Sequence, residues 1–165
     1  SGRTENSRAE LVQAAHRAEL AAGTGQGDVF VQDRGGLVWN TGEGVRRRDR
    51  SDEIEYTAYD AIPTPEVLSD EESLERISSA GSEALRDFGP TANLTDWFST
   101  AWDFARRTGL PSERVTETVR AVTRAGGAAT MAMIGETVVG AGVDGVLESR
   151  TRIDPTGARV CSEEA

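Results

Sequence analysis

Three side chains stand where chemistry could be done: His16, Glu19 and Asp28. His16 and Glu19 are three residues apart, a spacing that puts an imidazole and a carboxylate on one flank of a helix, where they can work as a pair. Asp28 closes the run Gly23-Thr24-Gly25-Gln26-Gly27-Asp28, which is too rich in glycine for a regular element. A second glycine-rich string, Gly126-Gly127-Ala128-Ala129, is of the kind that lets backbone N–H groups approach a phosphate. Each has an ordinary reading when taken alone. Histidine sits at core edges, glutamate on helix surfaces, aspartate in turns and caps, and a Gly-Gly pair at the end of a helix.

The elements around these residues can be read from spacing. Ser7 and Glu10 have the separation of a capping box and Gly23 suits a left-handed stop, so residues 7–22 are predicted to form a helix. Leu11, Ala15, Ala18 and Ala22 make one apolar stripe along it, with His16 and Glu19 on its flank. Two short apolar runs, 29–32 and 37–39, are separated by Gly35-Gly36, whose missing side chains let the backbone come close to something else. Residues 53–59 alternate like a half-buried strand, which Pro63 and Pro65 then end. Helices are expected at 70–88, 94–108 and 112–124, capped by Ser69 or Asp70, by Thr95 and by Ser112. Gly89-Pro90 and Gly109-Leu110-Pro111 break them apart, and Trp97, Ala101, Phe104 and Ala105 form a face to bury. Residues 137–143 are β-branched, and 146–152 and 158–161 flank an Asp154-Pro155-Thr156-Gly157 turn in the manner of a hairpin. Strands and helices mixed in this way, without a repeat, give an α+β class.

Composition narrows the chemistry. The net charge of -10 repels nucleic-acid phosphates and anionic lipid, so neither a nucleic acid nor a membrane is an expected partner. The dense cluster Arg46-Arg47-Arg48 with Arg50 is followed at once by Asp52, Glu53 and Glu55 and reads as a solvated loop. No apolar run reaches the roughly 18 residues of a spanning helix. Cys161 is the single cysteine, which excludes an intrachain disulfide and fits a reducing, cytoplasmic setting. All 18 basic residues are arginine, against 28 acidic residues spread along the chain, a balance that resembles proteins of salt-loving archaea and that a GC-rich genome also favours.

The strings Ala15-His16-Arg17-Ala18-Glu19, Gly23 to Val29 and Gly35-Gly36 together resemble the pantoate kinases of archaea, within the GHMP kinase superfamily. The string from Gly127 to Gly135 is similar to that superfamily's third, glycine-rich motif, and residues 149–160 to its C-terminal strand pair. The resemblance implies a GHMP-type α+β fold, with residues 1–60 ending the N-terminal domain and 61–165 forming the C-terminal one. It implies transfer of the ATP γ-phosphoryl group to the 4-hydroxyl of pantoate with Mg²⁺, on the archaeal route to coenzyme A. In that scheme Glu19 is the metal ligand, His16 a substrate contact, Asp28 the base, and Gly126, Gly127, Ala128 and Ala129 lie near the phosphates. A homodimer is compatible with it. The loop by which such kinases wrap the nucleotide phosphates, nearer their N terminus, is not in these 165 residues, and the first residue is Ser1, so the chain is expected to be the C-terminal portion of a longer enzyme.

One position departs from the pattern. Where an arginine is expected four residues after the Gly-Gly pair, to meet the pantoate carboxylate, the chain has Asn40, with Arg34 and Arg46 as the nearby cations. A GHMP kinase for another small alcohol is therefore one rival, and a non-catalytic interaction module is the other. The charge balance carries its own test: a lysine-free chain at net -10 repels itself at low ionic strength. Its thermal midpoint should rise from dilute to molar KCl, and a flat or falling midpoint would remove the salt-adapted reading.

Overall fold

A computed structural model of the chain describes residues 7–23, 28–40, 44–60, 70–87, 93–132 and 135–159. The fold is α+β. It gathers into two compact units, Ser1–Asp52 with Ile153–Ala165, and Glu53–Arg152. The division expected at residue 60 concerned where the family's two domains would meet; the compact units are drawn at 52/53 and 152/153.

The first unit begins with α1 (Arg8–Ala22). Its ends are those expected: the Ser7 hydroxyl accepts from the Glu10 amide, the Glu10 carboxylate accepts from the Ser7 amide at 2.7 Å, and Gly23 closes the helix at φ 65°. The capping bonds hold the Glu10 carboxyl below its ordinary pKa. The run 29–32 is not extended but lies in a second helix, α2 (Asp28–Arg34), with an acid in its first turn and a base in its last, as the helix dipole prefers. Then β1 (Leu37–Asn40) pairs antiparallel with β2 (Val45–Arg48), Leu37 opposite Arg48 and Asn40 opposite Val45. This corrects the reading of Arg46-Arg47-Arg48 as a loop: the backbone ladder of β1 takes these residues into a strand. Arg47 reaches back to the Gly35 and Pro155 carbonyls and to Asp49.

The C-terminal residues return to this unit. Gly36 N–H donates to Asp154 O at 2.7 Å, Ala158 N–H to Gln32 O at 2.6 Å and Ile153 N–H to Asp52 O at 3.0 Å. Residues 153–159 therefore do not form the expected hairpin, because their backbone hydrogen bonds go to Gln32 of α2, to Gly36 and to Asp52; residues 160–161 of its second arm lie outside the described residues. The contact anticipated at Gly35-Gly36 is found here. A Cβ on Gly35 would lie 2.2 Å from the Gly157 nitrogen, one on Gly36 would lie 2.5 Å from Arg48 O, and one on Gly157 would lie 2.2 Å from Asp33 O. All three residues also have positive φ.

The second unit runs β3 (Glu53–Ala58), α3 (Glu71–Asp87), α4 (Leu94–Thr108), α5 (Glu113–Arg124), β4 (Ala128–Met131), β5 (Thr137–Ala141) and β6 (Ser149–Arg152). Its four strands form one antiparallel sheet in the order β4-β5-β3-β6. The three helices match their expected spans, and Asp70 and Ser112 cap as anticipated. The cap of α4 is Asn93 rather than Thr95; its side chain accepts from the Asp96 amide at 2.9 Å while its own backbone is extended. Gly109 stops α4 at φ 74°. The turns assigned to Pro63, Pro65 and Gly89-Pro90 lie outside the described residues.

The core of this unit is built on α5. Val115, Val119 and Val122 recur at four and three residues, so one helix face carries all three, and none is more than 2% exposed. They pack with Ala105, Ala129, Met131, Val138 and Leu147. Each valine so buried is worth roughly 1.5–3 kcal/mol over an exposed one. Of the face expected on α4, Ala105 is in this core, while Trp97, Ala101 and Phe104 are half-buried.

The alternation of β3 places its polar residues inward. Glu55 lies opposite Gly140, and the space over Gly140 is filled by Leu147 and Val122, so Glu55 and Thr57 share the helix-covered face of the sheet. The Glu55 side chain is 5% exposed. Burial of a carboxylate is tolerated because it is satisfied: it accepts from the Gly145, Val146 and Leu147 amides at 2.6, 2.9 and 3.0 Å and from Arg150 at 3.1 Å. Thr57 accepts from the Glu148 amide at 3.0 Å. The link from β5 to β6 is thus held over β3 by two β3 side chains. Those amides, the Leu147 and Gly145 bonds foremost, push the Glu55 carboxyl down from 4.5 to about 2. The folded pKa is the lower, so the stabilisation is fully present above about 4.5 and is lost as pH falls toward about 2. Glu55→Gln should lower the thermal midpoint at pH 7, because its amide NH₂ meets backbone donors, and should flatten the decline of the midpoint between those two pH values. An unchanged acid limb in the variant would show that Glu55 is not the clamp.

Candidate functional site

Helix α1 and helix α2 pack on each other in the first unit, and between them lie His16, Glu19 and Phe30. The stripe expected to be buried on α1 is not the covered one. Leu11, Ala15, Ala18 and Ala22 are exposed, whereas Val12, His16 and Glu19 are half-buried. The face that α2 covers is therefore the one that carries the imidazole and the carboxylate. The His16 ring meets Phe30 at 4.7 Å between centroids, tilted by 54°. That contact orients the imidazole, and Phe30 was not singled out from sequence, although it stands only two residues after Asp28.

His16 Nδ1 and Glu19 Oε2 are 3.8 Å apart, and each side chain is 21% exposed. That distance is too long for a hydrogen bond. Both atoms are buried and neither has a hydrogen-bond partner. Buried polar atoms are nearly always satisfied, so an acceptor and a ring nitrogen left open toward one another mark a place where a further group would be welcome. Asp28 is half-buried at the first residue of α2, and residues 24–27, the glycine run before it, lie outside the described residues. The position of Asp28 is fixed from behind: α2 is followed by Gly35, which is locked against Gly157, and Arg8 of α1 bonds Asp33 Oδ1 at 2.6 Å, Asp33 O at 3.0 Å and Ala158 O at 2.6 Å.

Among the described residues no group of three or more His, Cys, Asp or Glu side chains could hold a metal ion. Mg²⁺ needs no such cage, since it binds through one or two carboxylates and completes its shell with phosphate oxygens and water. The open Glu19 Oε2 fits that requirement. Asn40 ends β1 opposite Val45, Arg46 lies opposite Trp39, and Arg34 is the exposed last residue of α2.

The second glycine string belongs to the other unit. Gly126 has φ 91°, and the Gly126 and Gly127 amides donate to Thr123 O and Val122 O, at the end of α5. Ala128 and Ala129 then enter β4 opposite Ala141 and Gly140 and are buried. Gly127 is required sterically, since a Cβ there would lie 2.5 Å from Ala141 O. The same unit carries a cleft of about 300 Å³ whose lining includes Thr57, Tyr59, Glu117, Thr118, Val146 and Glu148. The Tyr59 and Thr118 hydroxyls in it satisfy each other at 2.8 Å. No helix among the described residues is long and apolar enough to cross a membrane.

No protein-family model matches the chain. No curated protein matches it either. Among solved structures, a chain described as a phosphotransferase related to the CoA biosynthesis pathway is similar to it, with a TM-score of 0.73 and 19% identity. The match covers 93% of this chain and 57% of that one, so this chain spans a little over half of that protein's length. At this identity the likeness establishes a shared α+β fold.

The lock behind α2 can be tested apart from any activity. Gly35→Ala adds a Cβ at positive φ and against Gly157, whereas Gly23→Ala, at nearly the same φ, adds one into open space. Strain at such a φ costs about 1–3 kcal/mol, so both variants should lose urea stability and Gly35→Ala should lose clearly more. Equal losses would mean that the close approach is unimportant.

Proposed function

We propose that this chain is part of an ATP-dependent kinase of the GHMP type that phosphorylates pantoate at its 4-hydroxyl on the way to coenzyme A. The observation that carries the proposal is the open pair, Glu19 Oε2 facing His16 Nδ1 with neither atom hydrogen-bonded, in a chain that shares its fold with a phosphotransferase of the CoA pathway. The motif string around this pair supports the same reading. Phosphoryl transfer asks the protein mainly for positioning and charge neutralisation, which a small number of well-held side chains can supply.

Glu19 is the residue that would hold Mg²⁺, and the metal, when bound, neutralises charge on the nucleotide phosphates. His16, braced by Phe30, contacts the acceptor. The acceptor hydroxyl oxygen forms the new bond to the γ-phosphorus, the bond from that phosphorus to the β-phosphate bridging oxygen breaks, and ADP leaves. The hydroxyl proton passes to the Asp28 carboxylate. Asn40, in place of the arginine expected for a carboxylate, favours a second reading, in which the acceptor is a small alcohol with no carboxylate at that end.

Both readings are tested on the full-length gene product, with ATP, Mg²⁺ and a panel of small alcohols that includes pantoate, homoserine, mevalonate and, as an acceptor without a carboxylate, a sugar. Pantoate is expected to be turned over, and turnover of another alcohol alone would transfer the assignment to it. Asp28→Asn should lower kcat by about 10²–10⁴, the usual contribution of a general base, with the KM values for ATP and acceptor within a few-fold. Glu19→Gln should raise the Mg²⁺ concentration that gives half the maximal rate, because a neutral amide is a poorer ligand for a hard cation. A kcat for Asp28→Asn within a few-fold of the unaltered enzyme removes Asp28 from catalysis.

A further inference from the structure

Helix α2 has seven residues, and the carbonyls of its last turn find no partner within the helix. Three different segments supply partners. Gly35 N–H, from the residue that follows, donates to Val31 O at 3.0 Å, and Ala158 N–H of the C-terminal chain donates to Gln32 O at 2.6 Å. The third donor is the Arg8 guanidinium of α1, whose Nη2 donates to Asp33 O at 3.0 Å. Its Nε also donates to Asp33 Oδ1 at 2.6 Å and its Nη2 to Ala158 O at 2.6 Å, so one planar cation joins α1, the end of α2 and the returning chain. Within α1 itself nothing favours a base at this place. A cation in the first turn opposes the dipole of its own helix, whereas at the C-terminal end of α2 the same charge is favoured.

The consequence lies at the site. Helix α1 carries His16 and Glu19, and helix α2 carries Asp28 and Phe30. The Gly35–Gly157 approach holds the end of α2 to the C-terminal chain, but not to α1. The ring contact of Phe30 with His16 joins the two helices at one place, and Arg8 joins them at a second. One contact is a pivot about which a short helix can turn, whereas two fix its direction and with it the place of its first residue, Asp28. We infer that Arg8 is a positioning residue, which acts through Asp33 and α2 to set the separation between the His16–Glu19 pair and Asp28. The inference rests on the kinase reading for its effect on rate, and on the geometry alone for the seating of α2 on α1.

The test is made on the full-length gene product. Arg8→Ala should lower kcat by about 10-fold to 10²-fold, the cost of misplacing a reacting group by about 1 Å, with the KM for ATP within a few-fold. Arg8→Lys keeps the charge but cannot lay a planar fork on three acceptors, so it should lose rate in the same direction and gives a readout should Arg8→Ala not fold. In an Asp28→Asn background no base is left to position, and there Arg8→Ala should change kcat by no more than about twofold. An unchanged kcat on removing Arg8, or an equal loss in both backgrounds, overturns the inference. A further readout needs no turnover. The His16 ring-proton signals, assigned by their absence from His16→Gln, carry the ring-current shift of Phe30 and a nuclear Overhauser effect to its ring. Arg8→Ala should move those signals and weaken that effect, and unchanged signals overturn the inference. If the unaltered product phosphorylates no alcohol, the kinase reading falls, and the His16 signals still decide whether Arg8 seats α2 on α1.

Discussion

The site-bearing unit depends on one steric constraint, the backbone of Gly35 lying directly against that of Gly157. No side chain fits on either residue, and both adopt left-handed backbone angles. The approach draws the C-terminal residues 153–159 onto the end of α2, where Gly36, Gln32 and Arg8 then fasten them with hydrogen bonds to Asp154 and Ala158. Helix α2 has only seven residues and would not persist alone. Clamped at its C-terminal end, it can present Asp28 at its first residue and hold Phe30 against His16. The residues proposed for chemistry are thus positioned by a glycine contact between segments more than 100 residues apart in sequence.

The second unit solves a different problem with the same economy. Its sheet needs a connection from β5 to β6 that passes over β3, and such a crossing exposes a row of backbone amides to an apolar layer. Glu55 and Thr57 answer four of those amides from below. An ionised carboxylate beneath three N–H groups and one guanidinium is satisfied at nearly every lone pair, which is why its pKa falls although it is buried. Leu147, carried by the same loop, can then complete the valine core of α5.

Local signals in the sequence located the helices well. The capping box of Ser7 and Glu10, the stop at Gly23, and the spans of α3, α4 and α5 each rest on residues within one or two turns of each other, and the structure reproduces them. What failed was anything decided by distant partners. Arg46 to Arg48 read as a loop by charge, but strand pairing with β1 overrode that preference. The hairpin expected about the Asp154–Gly157 turn was not formed in the described residues, because Ala158 donates to Gln32 of α2 and accepts from Arg8 of α1. Glu55 gave no signal of its role, since the amides that bury it lie about 90 positions further on. The His16–Glu19 spacing was legible; the ring of Phe30 over it was not, because α2 was not recognised as a helix.

The reversal on α1 shows why. A pattern argument assigns the more apolar side of a helix to the interior, and for α1 that chose Leu11, Ala15, Ala18 and Ala22 over the side with His16 and Glu19. The structure covers the polar side, with Phe30 as the packing partner that makes burial there tolerable. An imidazole and a carboxylate held between α1 and α2 lose much of their freedom to turn toward water. Their unpaired atoms face one another across 3.8 Å, and side chains held in this way are what a site built on positioning requires.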